Sequence, residues 1–372
     1  MKTIKKLLII GFLIAMLIPA AAQDPQYSQW TANPTYYNPG YVGISQGMRT
    51  RFAYRQQWVK LPEDFRNFNF NMDLAARNIP GSGGLGLMFD SDNEGEGYIK
   101  RTMIGATVAV RIPIHHNMIT QFGILASFVQ KRIDWNRLVF TDQLDERYGN
   151  IYETSFKHPS DDRVTYPDFG VGGVFRFVQP TWKATEVIGS IGIAVHHLFR
   201  PNETFLQQSS PLPRKLVVTG DFIVQDEINR GRKKSFNISE GGFKFNPGVI
   251  YMYQGGMQSY SAGINVYRDP VYVGIWYRND EFEFLNNDAL VLTAGLSIFI
   301  NEISRIKMFY SYDCMLTDIT KATGGSHEVT IVIELDELYM FDKKKRRGGF
   351  GFGNYTSGRT KAMPRALECS PF

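Results

Sequence analysis

The chain has 372 residues, of which 21% are charged and 14% aromatic, and its formal net charge at pH 7 is +5. That modest charge argues against a nucleic-acid-binding protein. After residue 22, no uninterrupted apolar run reaches the ~20 residues that a transmembrane helix needs, which excludes a helical membrane protein.

The first 22 residues have the three parts of a secretory signal peptide. A basic start at residues 2–6 precedes an apolar stretch at residues 7–18, and three small alanines follow at residues 20–22. We therefore predict cleavage after Ala22 and a mature chain that begins at Gln23. The residue directly after the predicted cleavage site is glutamine and not cysteine, so we do not expect a lipoprotein.

Residues 23–47 form a segment that is rich in aromatic and amide side chains. Its first 23 residues carry a single charge, Asp24. The steps Asn33-Pro34 and Asn38-Pro39 favour turns, because a residue that precedes proline avoids the helical region. We expect an ordered, non-helical segment, since a disordered tail would contain fewer aromatic residues.

Segments of about ten residues with alternating apolar and polar side chains recur along residues 48–335. In the stretch NFNFNMDL, which starts at residue 67, Phe70 lies on the apolar face and Asn69 on the polar one. Counting these segments gives fourteen strands, and the pattern is typical of a transmembrane antiparallel β-barrel. We expect Phe70→Arg, which faces lipid, to impair assembly, and Asn69→Arg, which faces the lumen, to be tolerated.

An even number of strands places both ends of the barrel, and with them the N- and C-termini, in the periplasm. Short connections at residues 77–82 and 113–118 fall on that side, and the long connections 132–165 and 199–213 fall on the outer side. The basic connection 227–242 is the exception, because it is long and falls on the periplasmic side. It is either a functional projection or a sign that the strand count slips there.

Residues 336–372 follow the predicted barrel as a basic, glycine-rich periplasmic tail. It contains five consecutive basic residues: Lys343, Lys344, Lys345, Arg346 and Arg347. Such a run is as compatible with a solvated surface as with a binding site. Cys369 lies in this tail and Cys314 near the outer end of a strand. A hydrocarbon layer of ~30 Å would separate them, so we predict no disulfide bond.

Two motifs, one near each end of the mature chain, resemble the PorP/SprF family, outer-membrane proteins of the type IX secretion system of Bacteroidota. The first follows the order Gln-Asp-Pro, aromatic-Ser-Gln, Asn-Pro and aromatic-x-Asn-Pro-Gly-aromatic-x-Gly. It is met by Gln23, Asp24, Pro25, Tyr27, Ser28, Gln29, Asn33, Pro34, Tyr37, Asn38, Pro39, Gly40, Tyr41 and Gly43. The second motif, Gly325-Ser326-His327-Glu328-Val329, resembles the start of the family's last strand.

The resemblance implies a non-enzymatic outer-membrane component that aids the secretion or surface anchoring of cargo proteins, including gliding-type adhesins. It also implies as partners cargo with C-terminal sorting domains and periplasmic components such as lipoproteins or peptidoglycan-associated proteins. Outer-membrane lipid would surround the barrel. We expect no nucleic-acid partner.

The aromatic segment and the basic tail are the predicted partner-binding regions, because exposed apolar patches usually mark interfaces. The segment could plug the periplasmic mouth of the barrel or present its aromatic residues to a partner. The candidate residues are Tyr27, Trp30, Tyr36, Tyr37, Asn38 and Tyr41 in the segment, and Lys343, Lys344, Lys345, Arg346 and Arg347 in the tail.

Two other functions are compatible with parts of the sequence. A fourteen-stranded barrel with a polar lumen could be a diffusion channel or a transporter of hydrophobic solutes. A hydrolase site could be assembled from Ser259, Ser261 and His327, although such triads are defined by geometry. The adjacent His196 and His197 would point to opposite faces of a strand and could not bind one metal ion. We therefore expect no catalytic residues, cofactor or metal.

Overall fold

Fourteen antiparallel strands close into a barrel in which the first strand pairs with the last. The computed structural model describes residues 24–61, 65–76, 82–95, 98–145, 147–159, 161–180, 185–206, 209–226, 243–280, 289–301, 304–316 and 323–335. The barrel strands are β1 (Met48–Gln57), β2 (Phe65–Ala75), β3 (Ser82–Glu94), β4 (Ile99–His115), β5 (Met118–Ile133), β8 (Arg163–Pro180), β9 (Thr185–His196), β10 (Lys215–Asp226), β11 (Lys244–Gln254), β12 (Met257–Arg268), β13 (Val271–Asn279), β14 (Ala289–Phe299), β15 (Ser304–Met315) and β16 (Ser326–Leu335).

The predicted barrel and its strand count are confirmed, with strand ends that differ by a few residues. The long connection after β5 contains a small hairpin that the sequence did not predict. It is formed by β6 (Leu144–Asp145) and β7 (Gly149–Asn150). Strands of two residues are too short to show an alternation of side chains.

The strands carry their apolar side chains outward and their polar side chains inward. In β5, for example, Ile124 and Phe128 are 61% and 68% exposed, whereas Gln121 and Ser127 on the other face are buried. An apolar exterior on a closed barrel is the arrangement of proteins that cross a membrane with strands. No helix within the described ranges has the length and apolar character needed to cross a membrane.

The barrel has two rims, which we name by the strand ends found there. The terminal rim is the end at which β1 begins at Met48 and β16 ends at Leu335. The opposite rim is the end at which β1 reaches Gln57 and β16 begins at Ser326. The strands differ in length around the barrel, from 18 residues in β8 to 9 in β13.

The apolar core lies inside the barrel and is built largely by the segment that precedes β1. Four of its aromatic residues pack against inward-facing wall residues such as Val217 and Ile250. Nearer the terminal rim, Tyr41 and Ile44 of the segment pack against Ile119 of the wall. The lumen is therefore packed in the same way as a protein interior.

Candidate functional site: the amino-terminal segment in the lumen

Residues 24–47, which we call the lumenal segment, pass through the barrel from one rim to the other. At the opposite rim, the Asp24 backbone N–H donates a hydrogen bond of 3.0 Å to the side-chain oxygen of Gln254. Toward the terminal rim, the Gly43 N–H donates to Asp73 at 2.9 Å, and the Gly47 carbonyl accepts from Ala75 at 2.9 Å.

That both termini lie in the periplasm stays a prediction, because residues 1–23 and 336–372 lie outside the described residues. The two ends of the barrel itself, Met48 and Leu335, do share the terminal rim. Asp24 lies at the other rim. The sequence could not indicate this, because the segment reaches Asp24 through contacts with residues far away in the chain.

The two Asn-Pro steps set the local shape of the lumenal segment. Asn38 is extended, with φ −148° and ψ 114°, as a residue before proline should be. Pro34 and Pro39 each begin a short helical turn, α1 (Pro34–Tyr37) and a 3₁₀ turn (Pro39–Tyr41). We expected no helix here, but proline suits the first helical position because its missing N–H has no partner there anyway.

All the aromatic residues that we predicted to bind partners are buried in this structure. The Tyr37 hydroxyl accepts from the Tyr27 N–H at 2.8 Å and donates to the Tyr27 carbonyl at 2.6 Å, which folds the segment onto itself. The Tyr36 hydroxyl donates to the carbonyl of Pro25 at 2.9 Å. These side chains hold the segment together and are not presented to solvent.

Trp30 and Tyr41 attach the segment to the barrel wall. The rings of Trp30 and Trp276 meet edge to face, with centroids 5.7 Å apart. The hydroxyls of Tyr41 and Thr219 lie 3.3 Å apart. Because the two contacts involve different strands, the segment is held from more than one side.

Asn38, another predicted partner-binding residue, packs against a part of the wall that is formed by glycines. Its side-chain amide donates to the carbonyls of Gly173, at 3.0 Å, and Ile193, at 3.3 Å. A Cβ atom at Gly192 would lie 2.8 Å from the Asn38 Nδ2, and one at Gly172 would overlap the Asn38 Oδ1. The wall glycines therefore make room for this amide.

A row of amides joins Asn33 to β2. Its Nδ2 donates to the Oδ1 of Asn69 at 2.8 Å, and its Oδ1 accepts from the Nδ2 of Asn71 at 2.7 Å. Asn69 also donates to Asp90 at 2.9 Å and is fully buried. This lumenal position is part of a packed core, so from the structure we now expect Asn69→Arg to impair assembly.

The two motifs that carry the family resemblance meet inside the barrel. Glu328 accepts hydrogen bonds from the backbone N–H groups of Ser28 and Gln29, at 2.6 and 3.1 Å. Arg55 pairs with Glu328 at 3.3 Å and with Asp313 at 2.7 Å, and all three are nearly inaccessible to solvent. The segment thus contributes to a buried charge network that joins β1, β15 and β16.

Asp24 forms a second charged cluster at the opposite rim. His197 contacts Asp24 through Nε2 at 2.7 Å and Asp168 through Nδ1 at 2.9 Å. Lys215 and Arg101 lie 3.5 and 3.7 Å from Asp24. Burial alone would raise the pKa of Asp24, but these three cationic groups hold it well below its usual range. Burial alone would lower the pKa of His197, but the two carboxylates raise it to about 9.

We expected the two adjacent histidines, His196 and His197, to point to opposite faces of the strand. In the structure they do not. His197 has a φ of +55° and leaves the strand, so both rings are buried on the lumenal side. His196 contacts the Tyr37 carbonyl through Nε2 at 2.9 Å. Each histidine therefore holds a different part of the lumenal segment.

The residues of the alternative hydrolase site do not meet. Ser259 is buried and donates to Asp280 at 2.6 Å, whereas His327 lies beside Tyr310, with its Nδ1 2.7 Å from that hydroxyl. Within the described ranges, no three His, Cys, Asp or Glu side chains are grouped as a metal site would need. Cys314 is a free thiol.

Several predicted features lie outside the residues that the structure describes. They are the signal peptide, the basic connection 227–242, Cys369 and the basic residues Lys343, Lys344, Lys345, Arg346 and Arg347. The residues that sequence reasoning missed are Arg55, Asp313, His197 and Asp168. Charged residues at inward positions of strands were the available signal, but their partners lie far away in sequence.

The barrel aligns with several solved structures at low sequence identity. A FadL homologue from Pseudomonas aeruginosa aligns at 9% identity and a TM-score of 0.42, over 82% of this chain and 94% of that one. The monoaromatic hydrocarbon channel CymD aligns at 10% identity and a TM-score of 0.42, over 85% and 93%. The toluene transporter TodX from Pseudomonas putida aligns at 6% identity and a TM-score of 0.35, over 85% and 95%.

No curated protein sequence matches this chain. In contrast, the sequence profile of the family described as "Type IX secretion system membrane protein PorP/SprF" matches residues 20–333. That range includes the lumenal segment and nearly all of the barrel, and therefore both motifs and the contacts between them. The chain belongs to the PorP/SprF family and is an outer-membrane β-barrel associated with type IX secretion.

Proposed function

We propose that this protein is a non-enzymatic docking component of the type IX secretion machine, which helps to secrete cargo proteins or anchor them at the cell surface. The observation that supports this role best is the packed lumen. A barrel whose interior is filled by its own chain has only its rims, loops and tail with which to serve secretion. Family membership supplies the connection to type IX secretion.

The packing of the lumenal segment disfavours a channel that opens spontaneously. Tyr27, Trp30, Tyr36, Tyr37 and Tyr41 are each at most 7% exposed. Aromatic side chains bury about 150–250 Å² each, so five of them contribute on the order of 20 kcal/mol of gross hydrophobic stabilisation. Thermal motion would rarely displace such a segment, so a continuous path for solutes would need an external force or partner.

The partners that fit this role are cargo with C-terminal sorting domains and periplasmic components of the machine. The basic run Lys343–Arg347 would attract acidic surfaces at short range, since the Debye length in physiological salt is ~8 Å. The aromatic residues of the lumenal segment bind a partner only if the segment leaves the barrel. Docking is therefore assigned to the rims and the tail.

The test combines conductance and co-purification. The wild-type protein in planar bilayers should show little conductance, and a variant with Tyr36, Tyr37 and Tyr41 changed to Ser should show more. Changing the exposed Tyr148 and Tyr152 to Ser is the matched control and should leave conductance low. A high conductance of the wild type would instead favour the diffusion channel or transporter.

Partner binding is tested by neutralising the tail. Changing Lys343, Lys344, Lys345, Arg346 and Arg347 to Gln should reduce the cargo and periplasmic proteins recovered from membranes under mild detergent. The exposed loop residues Arg147 and Lys157, changed to Gln, are the control and should retain all partners. Full recovery with the tail variant would remove the tail from the proposal.

A further inference from the structure

The lumenal segment and the barrel ends define how the chain crosses the membrane. Asp24 is fixed at the opposite rim by Gln254, His197 and Lys215, whereas the last barrel residue, Leu335, lies at the terminal rim. These two rims face the two sides of the outer membrane. The barrel wall and the segment therefore run between the same two compartments.

We propose that Asp24, the amino-terminal end of the lumenal segment, faces the side of the outer membrane opposite to the two ends of the barrel strands. The apolar band of an outer-membrane barrel is about 25 Å tall. Asp24 and the two ends of the barrel strands therefore lie on opposite sides of this band.

The opposite rim has room for a free chain end. A cavity of about 570 Å³ is lined there by Asp24, Pro25 and Gln26 of the segment and by Arg55 and Arg278 of the wall. A cavity of this size accommodates a drug-sized molecule.

The contacts of the segment also hold it in this direction across the barrel. Asn38 fits against wall glycines, and Ser28 bonds to Glu328 on β16, the strand that closes the barrel against β1. Moving the segment out of the barrel would therefore break contacts with several strands at once.

Cysteine labelling in whole cells tests the topology. Gln26 and Gln46, both partly exposed, mark the opposite and terminal rims. Gln26→Cys and Gln46→Cys are made separately in a chain whose Cys314 and Cys369 are changed to Ser. A membrane-impermeant maleimide should label one of them, expected to be Gln26→Cys, at least tenfold better in intact cells than the other. Cell lysis should make both reactive.

A short epitope inserted between Ala22 and Gln23 gives an independent measurement. It should bind antibody on intact cells that carry the folded, heat-modifiable barrel. An epitope that is protected in intact cells with a folded barrel, or two cysteines labelled equally from the same side, would overturn the proposal. If the epitope prevents folding, the cysteine pair decides alone, because it adds no residues to the segment.

Discussion

The side chain of Asn38 fits against the barrel wall because the wall residues that it contacts are glycines. A methyl group at Gly172 would overlap the Asn38 carbonyl oxygen, whereas one at Gly220 would lie 3.5 Å from its nearest neighbour, an ordinary contact. We expect Gly172→Ala to destabilise the folded barrel by roughly 1–3 kcal/mol through overpacking and Gly220→Ala to have little effect. Denaturant titration of the heat-modifiable form measures both, and equal midpoints would contradict the contact.

The charged cluster at Asp24 should make the stability of the contacts between the lumenal segment and the barrel depend on pH. The raised pKa of His197 gives stabilisation that is complete below about 6.5 and is lost as the pH rises through about 9. The lowered pKa of Asp24 gives stabilisation that is present above its ordinary value and is lost only as the pH falls through its depressed folded-state value.

Hydrogen exchange of residues 24–30 should therefore accelerate between pH 7 and pH 10, beyond the intrinsic increase. The variant His197→Gln should lack this additional alkaline acceleration, because the group that loses its charge is absent. Asp168, Lys215 and Arg101 also face the cluster and remain in both proteins. An identical alkaline response of both proteins would show that His197 does not hold the segment.

The neighbouring residues Phe70 and Asn69 lead to a third expectation at this scale. Phe70→Arg places a charge toward lipid, at a cost of ~2–4 kcal/mol near the midplane. Asn69→Arg overfills a buried site that contacts Asn33 and Asp90. Both variants should yield less heat-modifiable barrel than the controls Phe70→Leu and Asn69→Ser. Normal assembly of Asn69→Arg would mean that the lumen is not packed at this position.

At the scale of elements, the barrel strands were predictable because each has its own alternation of apolar and polar side chains. The strand β2 is an example, with Asn69 inward and Phe70 outward. The course of the lumenal segment was not predictable, because its contacts span large distances in sequence, such as that from Ser28 to Glu328. Composition indicated an ordered segment, but position within the barrel is a property of tertiary structure.

Arg55 links several elements, and its removal should be costly. The change Arg55→Met leaves the carboxylates of Asp313 and Glu328 buried without this partner, which costs roughly 3–5 kcal/mol. The exposed pair of Arg132 and Asp162 is the control, and Arg132→Met should change the unfolding midpoint little, because solvent screens this pair. Comparable losses in the two variants, measured as unfolding midpoints, would argue against a stabilising network.

For the whole molecule, the barrel and the lumenal segment form one folding unit, because the segment supplies much of the apolar core. The sequence predicted the fold class and the family resemblance. It did not predict that the polar lumen face is buried, since an inward-facing asparagine has the same pattern in an open pore and in a packed interior. The presence of Asn33 beside Asn69 in the structure distinguishes the two cases.

The unequal strand lengths give the barrel a tall side and a short side. With ~3.3 Å per residue and a tilt of about 40°, the 18 residues of β8 rise about 45 Å and the 9 residues of β13 about 23 Å. The short strand matches the apolar band of ~25 Å, while the tall one extends well into water. A protein that moves along the membrane surface thus meets a lower wall of strands at β13 than at β8, which gives the encounter a direction.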